Sequence, residues 1–145
     1  MAPAALLLAL GCSQTPPGHD APTPPSGDAN AAAQAITDRE WQLVAFGAAN
    51  DPVGPTARGV TLRLDAATRR ASGYAGCNGY GGAFTLRGDS LSFGDLAMTR
   101  MACAEGMDVE RRYGELLPAV ATWRVQDSAL VLYGAGGRLA TFRAR

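Results

Sequence analysis

The sequence predicts a mainly β fold, a β-rich α+β domain in which short antiparallel strands form a small barrel-like sheet. Three observations lead to this prediction. Many apolar side chains after residue 36 alternate with polar ones, as in strands that bury one face. Turn-forming Gly, Pro, Asn and Asp residues interrupt this alternation at intervals of about ten residues. One segment before the C-terminal hairpin has apolar residues at helical spacing instead, which predicts one inserted helix.

A series of short segments is predicted to form the strands. The first alternates polar and apolar residues and precedes a Pro- and Gly-containing loop over residues 47–56. The turn sequences at 87–89 and 126–128 each separate two strands, as expected for hairpins. The predicted strands are residues 39–46, 60–65, 71–74, 83–86, 90–93, 96–102, 123–125, 130–133 and 139–143. So many short strands in one small domain favour a sheet that is closed or nearly closed on itself.

The inserted helix is predicted to cover one open end of this sheet. Its apolar residues form one stripe: Val109, Tyr113, Leu116, Leu117 and Val120. We expect Asp108 to cap the helix, because its carboxylate can accept hydrogen bonds from the free N–H groups of the first turn. Pro118 lacks an N–H, so we expect the helix to kink or end near it.

The first 36 residues differ in composition from the rest. Within residues 1–12, an apolar run over 4–10 is followed by Gly11 and Cys12; it is too short to span a bilayer but typical of a secretory signal. The ending Leu-Ala-Leu-Gly-Cys resembles the lipobox of bacterial lipoproteins, which implies a lipid anchor on Cys12. A plain secretory signal is the alternative. Residues 13–36 are expected to form a disordered, Pro/Ser/Gly-rich tether, and residues 37–145 the folded domain.

The composition argues against several classes of function. Basic and acidic side chains are equal in number, 13 of each, and interspersed, so the sequence does not favour nucleic-acid binding. The single histidine, His19, lies in the predicted tether. The predicted domain therefore has no histidine for acid–base catalysis, nucleophile activation or ordinary zinc binding. We expect a protein that is not an enzyme and that uses no cofactor or metal.

Two motifs carry the most specific information. Gly76-Cys77-Asn78 precedes a Gly-rich stretch, and Thr99-Arg100-Met101-Ala102-Cys103 lies ahead of the predicted helix. In this order, with a terminal hairpin after them, they resemble the META domain family, which includes the heat-shock lipoprotein HslJ. The resemblance covers residues 38–143. The glycines of the first motif indicate a tight turn, and we expect the Asn78 side chain to bond to the backbone of that turn.

The resemblance implies a small antiparallel β fold with one helix and no established enzymatic activity. It also implies a role in heat and envelope stress, which we expect to be exerted by binding another component of the cell envelope. Ser13, rather than the aspartate that favours inner-membrane retention, follows Cys12. A lipid-anchored location on the periplasmic side of the outer membrane is therefore expected.

The three cysteines give a separate prediction. If Cys12 carries lipid, Cys77 and Cys103 remain as a pair, and an oxidising compartment favours a disulfide between them. Two free, buried thiols are the alternative.

Some roles stay open at the level of sequence. Arg100 is either a structural charge, bonded to loop carbonyls or paired with Asp95 or Glu105, or a residue that recognises a partner. A hollow sheet would allow small-ligand carriage, as in lipocalin-like barrels. The motif cysteines would allow thiol redox chemistry. Soft side chains that suit Cu(I) are Met98, Met101, Cys103 and Met107, although strand register would point the first two to opposite faces.

Overall fold

A computed structural model describes residues 26–145 of the chain. The helices within these residues are α1 (Ser26–Ile36) and α2 (Met107–Leu116), and a 3₁₀ turn (Leu117–Ala119) follows α2. The strands are β1 (Glu40–Phe46), β2 (Asp51–Pro52), β3 (Thr61–Asp65), β4 (Arg70–Tyr74), β5 (Gly79–Arg87), β6 (Ser90–Met98), β7 (Thr122–Gln126), β8 (Ala129–Gly134) and β9 (Gly137–Ala144).

These strands form one antiparallel sheet in the order β2-β1-β3-β4-β5-β6-β7-β8-β9. β1 also pairs with β9, where Leu43 lies opposite Phe142, so the sheet is ring-like. The predicted mainly β fold is therefore confirmed. Two differences concern detail: the short strand β2 forms within the loop predicted over 47–56, and the segments predicted at 90–93 and 96–102 join in one strand that ends at Met98.

The interior of the ring is filled by the apolar side chains that alternate along the strands. The largest of the strand residues that are almost wholly buried are Trp41, Leu62, Leu64, Leu91, Leu130, Leu132 and Phe142. Their polar neighbours, such as Gln42 and Arg63, lie on the outer face. This is the pattern that the alternation in the sequence predicts, because successive side chains of a strand point to opposite faces.

The ring is weakest between β6 and β7. These strands pair at one position, where Ser90 lies opposite Thr122. Beyond Ser90, β6 contacts the 3₁₀ turn instead of a strand. Among the described residues, therefore, the edge of β6 that faces away from β5 has no strand partner from Ser92 to Met98; we call it the open edge of β6.

Helix α2 covers the end of the ring where β1 and β6 end and β5 begins. Its buried residues are Val109, Tyr113 and Leu116, as the helical spacing predicts. The helix gives way to the 3₁₀ turn that contains Pro118, which confirms the predicted end. The predicted cap was wrong: Gly106 precedes the helix in a left-handed conformation, and Asp108 instead pairs with Arg111 at 2.9 Å within the helix.

Helix α1 corrects the predicted tether. Residues 26–36 were expected to be disordered, but they form a helix whose last residue, Ile36, is completely buried in the core. The Trp41 indole N–H donates to the Ile36 carbonyl at 2.9 Å, and the Asp38 N–H donates to the Leu64 carbonyl at 2.8 Å. The helix therefore lies at the opposite end of the ring from α2.

Within residues 26–145, neither helix has the length and apolar character that crossing a membrane requires.

Two buried tyrosines connect α2 to the sheet. The Tyr80 hydroxyl donates to the Thr61 carbonyl at 2.9 Å and lies 2.8 Å from the Tyr113 hydroxyl, which therefore acts as the donor in that contact. The two rings meet edge to face, with centroids 5.5 Å apart, and Tyr113 also packs against Phe142. Burial raises the pKa of both hydroxyls well above that of a free tyrosine, and the neighbouring Tyr80 raises the pKa of Tyr113 further.

These raised pKa values predict a loss of stability in alkaline solution. The unfolded chain releases tyrosine protons near about pH 10, whereas the folded domain retains them. The stabilising effect is therefore fully present below about pH 10 and is lost as the pH rises through and beyond that value. We expect the free energy of unfolding, measured with urea, to fall between about pH 9 and about pH 11.5. This fall in the free energy of unfolding should be smaller in the double variant Tyr80→Phe/Tyr113→Phe than in the parent or in the exposed control Tyr74→Phe. An equal fall in all three proteins would contradict the assignment of the effect to Tyr80 and Tyr113.

Candidate functional site

The two sequence motifs meet at the end of the ring that α2 covers. Cys77 and Cys103 form a disulfide, with their Cα atoms 5.9 Å apart. This confirms the prediction made from the number of cysteines. Cys77 is completely buried, whereas Cys103 is partly exposed. The bond joins the turn between β4 and β5 to the loop of residues 99–103, which we call the motif loop. Cys12 and His19 lie outside the described residues.

Asn78 is the centre of a buried polar network, the Asn78 hub, formed with Thr99, Met101 and Glu110. The Asn78 Oδ1 atom accepts hydrogen bonds from the Thr99 hydroxyl at 3.0 Å and from the Met101 N–H at 2.6 Å. Its Nδ2 atom donates to the Met101 carbonyl at 3.0 Å and to Glu110 Oε1 at 2.9 Å. The Asn78 N–H donates to Glu110 Oε2 at 2.7 Å. Every polar group of the side chain is thus satisfied, although the residue is only 1% exposed.

The hub corrects one prediction and adds one residue. Asn78 was expected to bond to the backbone of its own turn, but its side chain reaches the motif loop and α2 instead; the turn is closed by the Ala75 N–H donating to the Asn78 carbonyl at 2.9 Å. Glu110, on α2, was not predicted as a site residue. Its only local signal is its position next to Val109, which places it at the border of the buried helical stripe.

Two glycines allow the motif turn and the start of α2 to touch. Gly76 and Gly106 have φ angles of 121° and 95°, in the left-handed region that favours glycine. A Cβ atom on either residue would lie 3.0 Å from the carbonyl oxygen of the other. Any side chain at these positions would push α2 away, and Glu110 with it, from Asn78. The tight turn predicted for the first motif is therefore confirmed at Gly76, and Gly106 is its counterpart.

The hub holds the backbone of the motif loop and leaves its two largest side chains, Arg100 and Met101, exposed to solvent. Met101 is 52% exposed, the largest value among the exposed large hydrophobic residues, although both its N–H and its carbonyl are bonded to Asn78. Arg100 is exposed as well. Within residues 26–145 it forms neither a side-chain hydrogen bond nor an ion pair, so the structural alternative, in which Arg100 bonds to loop carbonyls or pairs with Asp95 or Glu105, was wrong.

A surface groove of about 760 Å³ lies between the end of β6, the motif loop and the start of α2; we call it the motif groove. It is lined by Asn78, Leu96, Ala97, Met98, Thr99, Arg100, Met101, Ala102, Met107 and Glu110. All three methionines of the described residues therefore border it. Met107 is 43% exposed, while Met98 is half-buried and packs against the core.

Comparison with protein families identifies the fold to which these motifs belong. The model of the META domain matches residues 34–145, which is most of the chain and includes both motifs, the hub and the groove. The chain belongs to the META domain family. No curated protein matches it.

Solved structures resemble this META domain as well. An NMR structure of a protein from Burkholderia xenovorans is 33% identical, with a TM-score of 0.66 over 79% of this chain and 87% of that one. A second NMR structure is 22% identical, with a TM-score of 0.60 over 76% of this chain and 92% of that one. A crystal structure of a DUF4847 family protein from Bacteroides vulgatus shares the fold at 14% identity, with a TM-score of 0.56 over 76% and 94% of the two chains.

The hub predicts a strong coupling between Asn78 and Glu110. Asn78→Asp would place a second carboxylate against Glu110 and leave the Met101 carbonyl without its donor. We expect a loss of about 2–4 kcal/mol in the free energy of unfolding, because unsatisfied buried polar groups cost about 1–3 kcal/mol each. Adding Glu110→Gln to this variant should recover part of the loss, since it removes the like charge. Glu115→Gln, an exposed change on the same helix, is the control. Purely additive effects in this double-mutant cycle would contradict the hub.

The disulfide predicts a separate contribution to stability. The bond closes a sequence separation of 26 residues, for which the chain-entropy model gives about 3.5 kcal/mol. We expect Cys77→Ser/Cys103→Ser to lose a free energy of unfolding of that order in urea. A reductant should bring the parent towards the variant and leave the variant unchanged. A parent and variant of equal stability without reductant would refute this contribution.

Proposed function

We propose that this META-domain protein is a non-enzymatic, lipid-anchored binding protein of the cell envelope that supports heat and envelope stress tolerance by binding another envelope component. The observation that carries the proposal is the display of Arg100 and Met101. Both side chains lie in solvent on a loop whose backbone is bonded to a buried asparagine and stapled by a disulfide.

The arrangement fits recognition better than catalysis. Asn78 and Glu110 hydrogen bond to each other inside the hub, so their polar groups hold the motif loop and α2 together. The two largest side chains that the motif loop exposes are a cation, Arg100, and an apolar side chain, Met101. A loop held in one conformation loses little conformational entropy when it binds a partner, and this lowers the free-energy cost of association.

The proposed location rests on the N-terminal sequence and on cysteine chemistry. The apolar run that ends at Cys12 supports export and lipidation, and Ser13 supports outer-membrane sorting. A disulfide between Cys77 and Cys103 is typical of proteins in an oxidising compartment such as the periplasm.

The alternative functions have less support from the geometry. Lipocalin-like carriage needs a hollow ring, but the side chains of Trp41, Tyr113 and Phe142 meet in the interior with almost no exposure. Copper binding would need converging sulfur ligands. The sulfur of Cys103 is bonded to Cys77, and the Met98 methyl group lies near Gly114, two helical turns from Met107.

Complementation of a deletion strain tests the proposal. A strain of the native bacterium from which the gene has been deleted expresses either the parent protein or one of the variants Arg100→Glu and Met101→Asp. Survival of each strain is measured after heat shock and during exposure to a drug that acts on the cell envelope. We expect the parent to restore survival and the two variants to fail, because they change only displayed side chains and should alter stability by less than about 0.5 kcal/mol. Cys12→Ala should fail as well, and labelling with a fatty-acid analogue should depend on Cys12.

Val125→Asp is the matched control, since Val125 is 42% exposed on β7, away from the motif loop. Urea unfolding of each purified variant distinguishes a loss of folding from a loss of binding. Full rescue by folded Arg100→Glu and Met101→Asp would refute the proposed use of this surface. A deletion strain as resistant as its parent would refute the role in stress.

A further inference from the structure

The open edge of β6 presents backbone hydrogen-bonding groups to the motif groove. The Thr99 N–H donates to the Gly79 carbonyl at 3.0 Å on the β5 side. Hydrogen-bonded and non-hydrogen-bonded residue pairs alternate along two antiparallel strands. Thr99 faces Gly79 in a bonded pair, so the next pair, Met98 opposite Tyr80, is a non-bonded one. The N–H and carbonyl of Met98 therefore point away from β5, to the edge that has no strand partner within the described residues.

This edge is short, because a β-bulge interrupts it. The register between β5 and β6 shifts near Gly82, and Asp95 has a positive φ of 50°. Such bulges limit pairing along a strand edge. The usable part of the edge is residues 96–98, which also form one wall of the motif groove. A short extended segment fits this wall, whereas a long strand would meet the bulge.

The groove provides apolar contacts and one cation whose N–H groups are available to a ligand. Met101 and Met107 are the exposed methionines of the groove lining, and flexible, polarisable methionines are suited to accept varied apolar side chains. Of the two charged lining residues, Glu110 has both carboxylate oxygens bonded to Asn78. The Arg100 guanidinium has no such partner in residues 26–145, so its N–H groups can donate to an acidic side chain of a ligand.

We propose that the motif groove binds a short extended peptide segment of an envelope protein, which adds as a strand to the open edge of β6. The peptide backbone bonds to Met98, an apolar peptide side chain packs against Met101 and Met107, and an Asp or Glu side chain pairs with Arg100. Strand addition of this kind gives affinity through main-chain bonds and specificity through side-chain contacts. The proposal rests on the proposed function and names the chemistry of the partner. A lipid chain would leave the backbone groups of Met98 unused.

A displayed library of linear peptides provides the probe. The bait is the full chain, exported from the cell but without lipid because it carries Cys12→Ser. Peptides that bind this bait are enriched from the library, and one of them is synthesised for titration. We expect enriched sequences in which an acidic residue lies among alternating apolar ones. Arg100→Glu and Met101→Asp should each weaken binding about tenfold or more, and Val125→Asp should not. Exchanging the peptide's acidic residue for Lys should restore binding to Arg100→Glu.

Hydrogen exchange distinguishes strand addition from other modes of binding. The Met98 amide should exchange about tenfold more slowly with the peptide bound, and methylation of the facing peptide nitrogen should abolish this protection. Failure to enrich any peptide, binding that ignores Arg100→Glu, or a Met98 amide that exchanges as in the free protein would each overturn the proposal.

Two further measurements test other occupants. Binding to vesicles of phosphatidylglycerol and phosphatidylethanolamine that Met101→Asp abolishes would assign the groove to lipid. A concentration-dependent dimer that Met101→Asp abolishes would assign it to a second copy of the chain. Either result would overturn the peptide proposal. If Met101→Asp also fails in complementation while no peptide is selected, the peptide chemistry is wrong and the proposed function stands. If Met101→Asp complements fully, the proposed use of this surface fails together with the peptide proposal.

Discussion

The contact between Asn78 and Glu110 is the constraint on which the rest of this end of the molecule depends. Together with the other bonds of Asn78, it joins a turn to a loop and a helix that follow 21 to 32 residues later in the chain. The motif loop lacks the repeated backbone bonds of a helix or strand, so its conformation is determined by one side chain and one disulfide. Because the Asn78 side chain is buried and fully bonded, displacing it would leave several polar groups without partners at once.

Helix α2 connects this polar constraint to the core. Val109 and Tyr113 pack into the ring, while Glu110, between them in sequence, bonds to the motif turn. The strands β6 and β7 share a single paired position, and beyond it β6 contacts the 3₁₀ turn that follows α2 instead of a strand. The same substitution of helix for strand creates the open edge of β6. The proposed binding edge and the incomplete ring therefore have one structural origin.

The strands and α2 could be predicted from sequence because a period of two or of 3.6 is a local signal. The disulfide could be predicted from cysteine number and compartment. Glu110 could not, because its role depends on how closely α2 approaches Asn78, which two glycines decide. Helix α1 was missed because its Ala- and Gly-containing sequence has a weak apolar stripe; the helix propensity of alanine in residues 31–35 was the available signal. The solvent exposure of Arg100 also depends on tertiary geometry.

The docking of α1 gives the domain a direction relative to its N-terminus. Since Ser26 already belongs to a helix at one end of the ring, only residues 13–25 separate it from Cys12. At about 3.5 Å per residue these can span at most roughly 50 Å. With a lipid on Cys12, the tether would attach at the α1 end of the ring, and the motif groove would lie at the other end. The length of the tether would then limit how far from the lipid surface the groove can reach.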